Sequence, residues 1–276
     1  MQLQLALHKL NNDTQYDELL FWGKVLGTVK DYYIALAVNY KGKYQFPEKD
    51  FYWASSANYA FAKLPDMLQQ HAAEIDSITT PFTGEHDLIL KDAEGKAPEE
   101  SGEAAEAEDS KENEPAAAEE SDDDVAIKVP KKNLRELDRL GYVVRAIEND
   151  THVVPEGSFR LTPSHEVRRY GGYGGLAGED LADMGKYYHF RVVQTAEKKA
   201  KLEREEAVFM PDFLDSICED SPQGAWTLHL DASKTKAVVR SLLWPGYVAY
   251  HRVKTGSFGG VYVGSGLKNA DLPFML

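Results

Sequence analysis

The sequence predicts an α+β fold, with a mostly antiparallel β-sheet, several short helices and a disordered acidic loop. Runs of aromatic and β-branched residues separated by turn residues occur near both ends of the chain, which is typical of antiparallel strands. Other segments repeat apolar residues at three- and four-residue spacing, which indicates amphipathic helices. Between the two ends lies a tract without any large apolar residue, so it cannot contribute to a packed core.

The first folded region is expected at residues 1–90. Leu3, Leu7 and Leu10 follow helical spacing and predict a short opening helix. Strands are then expected in four aromatic segments, at residues 21–26, 32–38, 51–53 and 59–63. Pro65 favours the first turn of a second helix, where its missing N–H costs no hydrogen bond.

Residues 91–124 carry most of the net charge of the chain. This acidic tract holds 15 acidic residues and 3 lysines, so the other residues sum to only −2 of the total −14. It therefore predicts a disordered linker or loop, and the folded body is almost neutral. Ser121 precedes three aspartates, so an element regulated by phosphorylation is the alternative to a plain spacer.

The second folded region is expected at residues 125–276. Apolar spacing predicts a helix from about Leu134 to Asn149, and further helices at residues 181–185 and 195–206. From Ala225 onward, four segments form a predicted antiparallel meander, at residues 226–230, 237–243, 247–253 and 258–263. The two regions either form separate domains joined by the acidic tract or share one sheet within a single domain.

The sequence contains no recognisable catalytic, metal or cofactor motif. The eight histidines lack metal-ligand spacing, and Cys218 lies next to acidic residues that disfavour a nucleophilic thiol. Residues 172–177 fit a relaxed dinucleotide fingerprint, but the preceding residues 165–170 do not read as the strand that such a site needs. A surface loop is the preferred interpretation there, and an enzyme is the weakest of the functions considered.

Neither nucleic acid nor a membrane is expected as a partner. The aromatic-rich segment from Tyr16 to Phe61 balances its lysines with acids, so it lacks the basic groove that accompanies base stacking. No apolar run reaches the roughly 18 residues that span a bilayer. A single cysteine and the lack of a signal-peptide pattern favour the cytoplasm.

Several motifs resemble the radial spoke head protein 9 family of motile cilia and flagella. The most specific are in the closing stretch, at residues 240–246, 261–264 and 271–276, which read RSLLWPG, VYVG and DLPFML. Near the other end, residues 21–23 and 31–35 are similar to the same family. The resemblance covers both folded regions and departs from the family mainly in the acidic tract.

This resemblance implies a non-catalytic structural subunit of the radial spoke head, in the axonemal cytoskeleton of a cilium or flagellum. Such a subunit would help transmit mechanical signals between the central apparatus and the outer-doublet dyneins. The implied partners are radial spoke head proteins 1, 4, 6 and 10, stalk protein 3 and the central-apparatus projections. Self-association or pairing with related head proteins is also open, and a generic intracellular scaffold or adaptor is the alternative function.

Aromatic and apolar residues within or near these motifs are the candidate interface, because such side chains are enriched where proteins meet. The candidates are Trp22, Tyr32, Tyr33, Trp244, Tyr250, Phe274, Met275 and Leu276. The last three are expected to pack either on the chain's own sheet or on a neighbouring protein, with the own sheet favoured.

Overall fold

A computed structural model describes residues 2–40, 46–66, 71–91, 133–202 and 213–275. Up to residue 91 its elements are α1 Gln2–Asp13, β1 Glu18–Val25, β2 Tyr32–Asn39, β3 Glu48–Ser55, β4 Ala62–Lys63, α2 Ala72–Asp76 and β5 Ile89–Lys91. From residue 133 to 202 they are β6 Leu134–Arg135, α3 Glu136–Thr151, β7 Val153–Pro155, β8 Phe159–Leu161, β9 Val167–Arg169, β10 Tyr187–His189 and α4 Ala196–Leu202. The remainder comprises β11 Trp226–Leu230, β12 Lys236–Ser241, β13 Tyr247–Arg252, β14 Phe258–Gly264 and α5 Leu272–Met275.

Eight strands from the two ends of the chain form one sheet, in the order β11-β12-β13-β14-β1-β2-β3-β4. The two groups of strands join where β1 runs parallel to β14, with Lys24 beside Val263. Gly23 lies at this junction, and a Cβ added there would come 2.1 Å from the carbonyl oxygen of Tyr262. The close approach of the two strands therefore requires glycine.

The predicted α+β fold with a mostly antiparallel sheet is confirmed. The opening helix is α1, and the predicted meander is the run β11–β14, in which each strand pairs with the next. The helix predicted from Leu134 to Asn149 is α3, which begins two residues later because Leu134 and Arg135 pair with β5 as strand β6. Local periodicity thus identifies the longer elements correctly.

The shorter predicted helices differ from the structure. Of the helix predicted to begin at Pro65, the described residues Pro65 and Asp66 are not helical, and Leu64 N donates to Phe51 O at 2.8 Å beside β3. The nearby helix is α2, and residues 67–70 lie outside the described ranges. Residues 181–185 fall in two 3₁₀ helices, Gly178–Ala182 and Met184–Lys186. Of the predicted helix 195–206, α4 is helical and residues 203–206 are not described.

The acidic tract lies outside the described residues except for Lys91, the last residue of β5. The segments on its two sides pair with each other, since Lys91 is opposite Leu134 in the β5–β6 ladder. The chain therefore leaves and re-enters the described structure at one place.

The main core lies between one face of the sheet and α3. Strand β2 turns every second side chain towards it, including Tyr32, Ile34 and Leu36. Helix α3 adds apolar side chains at helical spacing, namely Leu140, Val144 and Ile147. Within the described ranges, no helix has both the length and the apolar character that crossing a bilayer requires.

Candidate protein-interaction site

The opposite face of the sheet is covered over β2 and β3. There α1 packs Leu10 against Ala35, Ala37 and Tyr52 in a second, smaller hydrophobic cluster. The Tyr16 hydroxyl, just after α1, donates to Asp50 Oδ2 at 2.6 Å and fixes the helix to β3. Both faces of β2 are therefore buried within the chain from Ile34 to Val38.

The same face is accessible over β12, β13 and β14. In β13 the side chains of Tyr247, Ala249 and His251 are buried, and those between them point to the other side. We call the accessible apolar residues the open face: Phe21, Tyr33, Val238, Val248, Tyr250, Val261 and Val263. Tyr250 is 45% exposed and Val263 is 47% exposed. A monomeric protein gains nothing from leaving such side chains in water, so the open face is the candidate interaction site.

Cations lie on the open face at β12 and β13. Lys236, Arg240 and Arg252 lie on the same side of β12 and β13 and are exposed. Within the described part of the chain, none of the three makes a side-chain ion pair. An apolar centre with a charged rim is typical of protein interfaces, and this rim favours a partner that presents carboxylates.

Three of the candidate interface residues lie in the core. Trp22 Nε1 donates to Glu148 Oε2 at 2.8 Å, and the Tyr32 hydroxyl donates to Glu136 Oε1 at 2.7 Å. Trp244 Nε1 donates to Asp150 Oδ2 at 3.0 Å. All three side chains are buried by the chain itself, so they cannot contact a partner in this fold.

The other candidates lie at the surface or beyond the described residues. Tyr33 and Tyr250 belong to the open face. Phe274 and Met275, in α5, are 88% and 71% exposed, so the preference for packing on the chain's own sheet is wrong for both. Leu272 takes the buried position of this single turn, and its neighbours therefore project outwards. Leu276 is not described.

Two buried glutamates on α3 were not among the residues predicted from the sequence. Glu136 accepts hydrogen bonds from Tyr32, from the Thr83 hydroxyl and backbone N–H, and from Gly84 N. Glu148 accepts from Trp22, Lys49 and His152. Glu136 lies four residues before Leu140, and Glu148 lies four residues after Val144, so both acids are on the apolar face of the helix. An acidic residue at such a position was the sequence feature that could have predicted a buried carboxylate.

The environment of Glu148 keeps it ionised. Burial alone would raise the pKa of this carboxyl, but the nearby His152 and Lys49 outweigh burial and hold the pKa well below its ordinary value. Lys49 Nζ lies 2.7 Å from Glu148 Oε1 and also donates to Phe190 O. Glu148 is thus a fixed anion that ties α3 to β1 and β3, unsuited to exchanging protons near neutral pH.

A groove of about 880 Å³ borders this cluster. Its walls are mainly apolar, and its charged lining residues include Lys49, Arg145, Glu148 and Arg191. Arg145 donates to two backbone carbonyls and Arg191 to a third, so these cations position the chain itself. Among the described walls, His165 is the remaining titratable side chain, and no serine, threonine or cysteine is present there.

The glycine-rich loop after β9 is packed against β13. Contrary to the sequence expectation, a strand does precede it, but β9 pairs with β8 in an antiparallel hairpin instead of a βαβ unit. Leu176 N donates to His251 Nε2 at 2.9 Å, and a Cβ on Gly175 would meet Thr255 O at 2.2 Å. The glycine therefore allows the two backbones to pack closely.

The described residues contain no cluster of three or more His, Cys, Asp or Glu side chains that could bind a metal ion.

Comparison with known proteins identifies similar chains. A family model described as "Radial spokehead-like protein" matches residues 1–158 and 191–276. The "Radial spoke head protein 9 homolog" of Danio rerio is 34% identical over 281 residues, which cover 99% of this chain and 90% of the relative. The proteins of the same name from Mus musculus and Homo sapiens are each 30% identical with the same coverage.

Proposed function

The chain belongs to the radial spokehead-like protein family, and from this membership we propose that it is a non-catalytic structural subunit of the radial spoke head. The observation that carries the proposal is similarity to radial spoke head protein 9 homologues along 99% of the chain. Its place is then the axoneme of a cilium or flagellum. The ionised Glu148, paired with Trp22, Lys49 and His152 inside the chain, agrees with a structural role.

The finer function is mechanical. As part of a stiff head, the subunit helps to pass force or displacement between the central apparatus and the outer-doublet dyneins. Its proposed neighbours are radial spoke head proteins 1, 4, 6 and 10 and stalk protein 3. A continuous eight-stranded sheet suits this task, because the hydrogen bonds between neighbouring strands resist separation and sliding of the strands.

We assign contact with a neighbouring head subunit to the open face. Its apolar centre around Tyr250 and Val263 would be buried, and its rim of three cations would meet carboxylates of the partner. The exposed apolar side chains of Phe274 and Met275 form a separate candidate contact at α5.

Val263→Asp tests the open face, with Val29→Asp as a matched control. Val263 is 47% exposed on the open face, whereas Val29 is 67% exposed in the loop between β1 and β2. We expect Val263→Asp to abolish co-purification with the head proteins from axonemal extracts and Val29→Asp to preserve it. Equal co-purification of both variants would contradict the assignment of the open face.

Localisation tests the function itself. The tagged chain, expressed in ciliated cells, is expected in the axoneme, and its signal should disappear in mutants that lack spoke heads. The generic scaffold would be favoured instead if the tagged chain stayed in the cytoplasm of ciliated cells. It would also be favoured if the axonemal signal persisted in mutants without spoke heads.

A further inference from the structure

The two edges of the eight-stranded sheet are protected differently. At one edge, β4 has only two residues, and Lys63 Nζ lies 2.8 Å from Asp50 Oδ1. A short edge strand that carries a lysine is a common device against strand pairing. At the other edge, β11 has five residues, Trp226-Thr227-Leu228-His229-Leu230, and none is acidic, lysine, arginine or proline. Strand β11 therefore lacks these devices.

The hydrogen bonds of β11 show which backbone groups are free. Asp231 N donates to Lys236 O at 3.0 Å, and Leu242 N donates to Ala225 O at 2.8 Å. In an antiparallel pair such bonded positions alternate, so Thr227 and His229 bond to β12. The N–H and C=O groups of Trp226, Leu228 and Leu230 then point to the open edge. Within the described ranges these six groups make no backbone hydrogen bond on that side.

We propose that β11 pairs with β11 of a second copy of this chain, antiparallel and about a two-fold axis at Leu228. In this register Leu228 lies opposite Leu228 of the other copy, and Trp226 lies opposite Leu230. These three positions are the ones whose backbone groups point outwards. The pairing therefore forms six hydrogen bonds and leaves no outward group of either strand unpaired.

The side chains agree with the same register. Thr227 lies opposite His229 of the other copy on the exposed side, so no like charges oppose each other when histidine is neutral. Leu228 and Leu230 are only half-buried on the core side, and pairing covers them further. The axis is perpendicular to the sheet, so the open faces of the two copies lie on one side of a continuous 16-stranded sheet.

A second copy fits this edge better than a head-to-tail arrangement. Pairing β11 with β4 of another copy would leave free edges at both ends and build an open filament, and β4 is too short to match five residues. Two-fold pairing uses the same edge twice and closes. The proposal depends on the geometry of β11 alone and does not rest on the radial spoke assignment.

Disulfide cross-linking tests the register. Thr227 and His229 face each other as a non-hydrogen-bonded pair, where the Cα atoms are about 4.5 Å apart, within the range that a disulfide spans. In a Cys218→Ser background, the full chain with Thr227→Cys and His229→Cys should form a covalent species of twice the 30.9 kDa chain mass on oxidation. Either cysteine alone should not, because residue 227 is displaced by two positions from residue 227 of the other copy.

Leu228→Pro tests the backbone bonds, with Leu228→Ala as the control. Proline at this position removes an outward N–H and leaves the bonds to β12 intact. Edge strands tolerate proline where the N–H faces solvent. We expect sedimentation velocity to show a wild-type dimer whose dissociation constant rises about tenfold or more in Leu228→Pro and less in Leu228→Ala. Near-ultraviolet circular dichroism checks that both variants remain folded.

A wild-type chain that stays monomeric and does not cross-link would overturn the proposal. So would a dimer that Leu228→Pro leaves intact, or equal cross-linking in the single-cysteine variants. If β11 instead accepts a strand from a different protein, the double-cysteine chain will join that protein and not itself, which also overturns the homotypic pairing.

Discussion

The two halves of the sheet differ in how their faces are covered. Strands β2 and β3 have the α3 core on one face and α1 on the other, so almost every side chain of β2 is inaccessible. Strands β12–β14 have the core on one face and the open face on the other. The first half is built to hold the chain together, whereas the second retains apolar area that a partner can bury.

The buried glutamates of α3 bond to the covered half of the sheet. Both glutamates of α3 bond to residues of the first half, Glu136 to Tyr32 and Glu148 to Lys49 and Trp22. Removing a partner from such a site leaves a buried charge without compensation. The covered half should therefore be sensitive to single polar substitutions, and the open face should not.

The largest effect is expected from Glu148→Gln, which leaves Lys49 and His152 near an uncharged group. We expect a loss of about 3–5 kcal/mol in the free energy of unfolding, measured by urea denaturation at pH 7. Glu156→Gln is the control, since Glu156 forms a more exposed pair with Lys186 and should cost at most about 1 kcal/mol. Similar losses in the two variants would argue against a special role of the buried glutamate.

The same residue predicts a pH dependence. The pKa of Glu148 is lowered by folding, so its contribution is complete above the unfolded-state pKa of 4.5 and is lost as pH falls below it. The wild-type stability curve should thus fall more steeply in acid than that of Glu148→Gln. Parallel curves below pH 4.5 would show that the carboxylate is not linked to folding.

Leu10→Ala tests whether α1 seals the covered half. Leu10 is buried against Ala35 and Ala37, so its truncation should cost about 2–3 kcal/mol. Leu5, on the same helix, is exposed, and Leu5→Ala should change stability by less than about 0.5 kcal/mol. If both variants unfold at the same urea concentration as the wild type, α1 does not contribute to the covered face.

Substitution of His251 tests the contact between the glycine-rich loop and β13. Burial lowers the pKa of this histidine, which accepts a hydrogen bond from Leu176 N. His251→Leu leaves that N–H unpaired and should cost about 1–2 kcal/mol at pH 7.5, whereas His251→Gln retains an acceptor. Because the folded-state pKa lies below 6.5, wild-type stability should decline as pH falls through 6.5 and below. Neither variant has this imidazole, so a decline of the same size in His251→Gln would exclude His251 as its cause.

The smallest effect on stability is expected on the open face. Tyr250→Ala should alter the free energy of unfolding by less than about 0.5 kcal/mol, while Tyr247→Ala in the same strand should cost about 3–5 kcal/mol because Tyr247 is buried. Denaturation of the two variants under identical conditions measures the contrast. Comparable losses would mean that the open face already packs against part of the chain.

Much of the fold follows from local patterns in the sequence. The meander β11–β14 was predicted because its strands and turns are contiguous, and α3 because its apolar residues repeat at helical spacing. Short elements were less predictable. Pro65 looks like a helix start, yet Pro65 and Asp66 are not helical, and Leu64 before them pairs with Phe51.

The candidate interface was predicted less well, since neighbouring residues of a strand face opposite ways. Tyr32 and Tyr33 look alike in sequence, but Tyr32 is buried on Glu136 whereas Tyr33 reaches the open face. Tyr250 lies at the surface, whereas Trp22 and Trp244 lie in the core. Composition alone does not tell which side of the sheet a residue occupies.

The sequence by itself determined the class of the fold, its longer strands and helices, and the family resemblance, because periodicity and motifs are local properties. Only the tertiary structure decided that β1 joins β14, that two glutamates anchor α3, and that one half of the sheet has an accessible face. The physical reason is that burial depends on which distant segments cover a surface. No window of sequence records that α1 covers β2 and β3 and leaves the face of β12–β14 accessible.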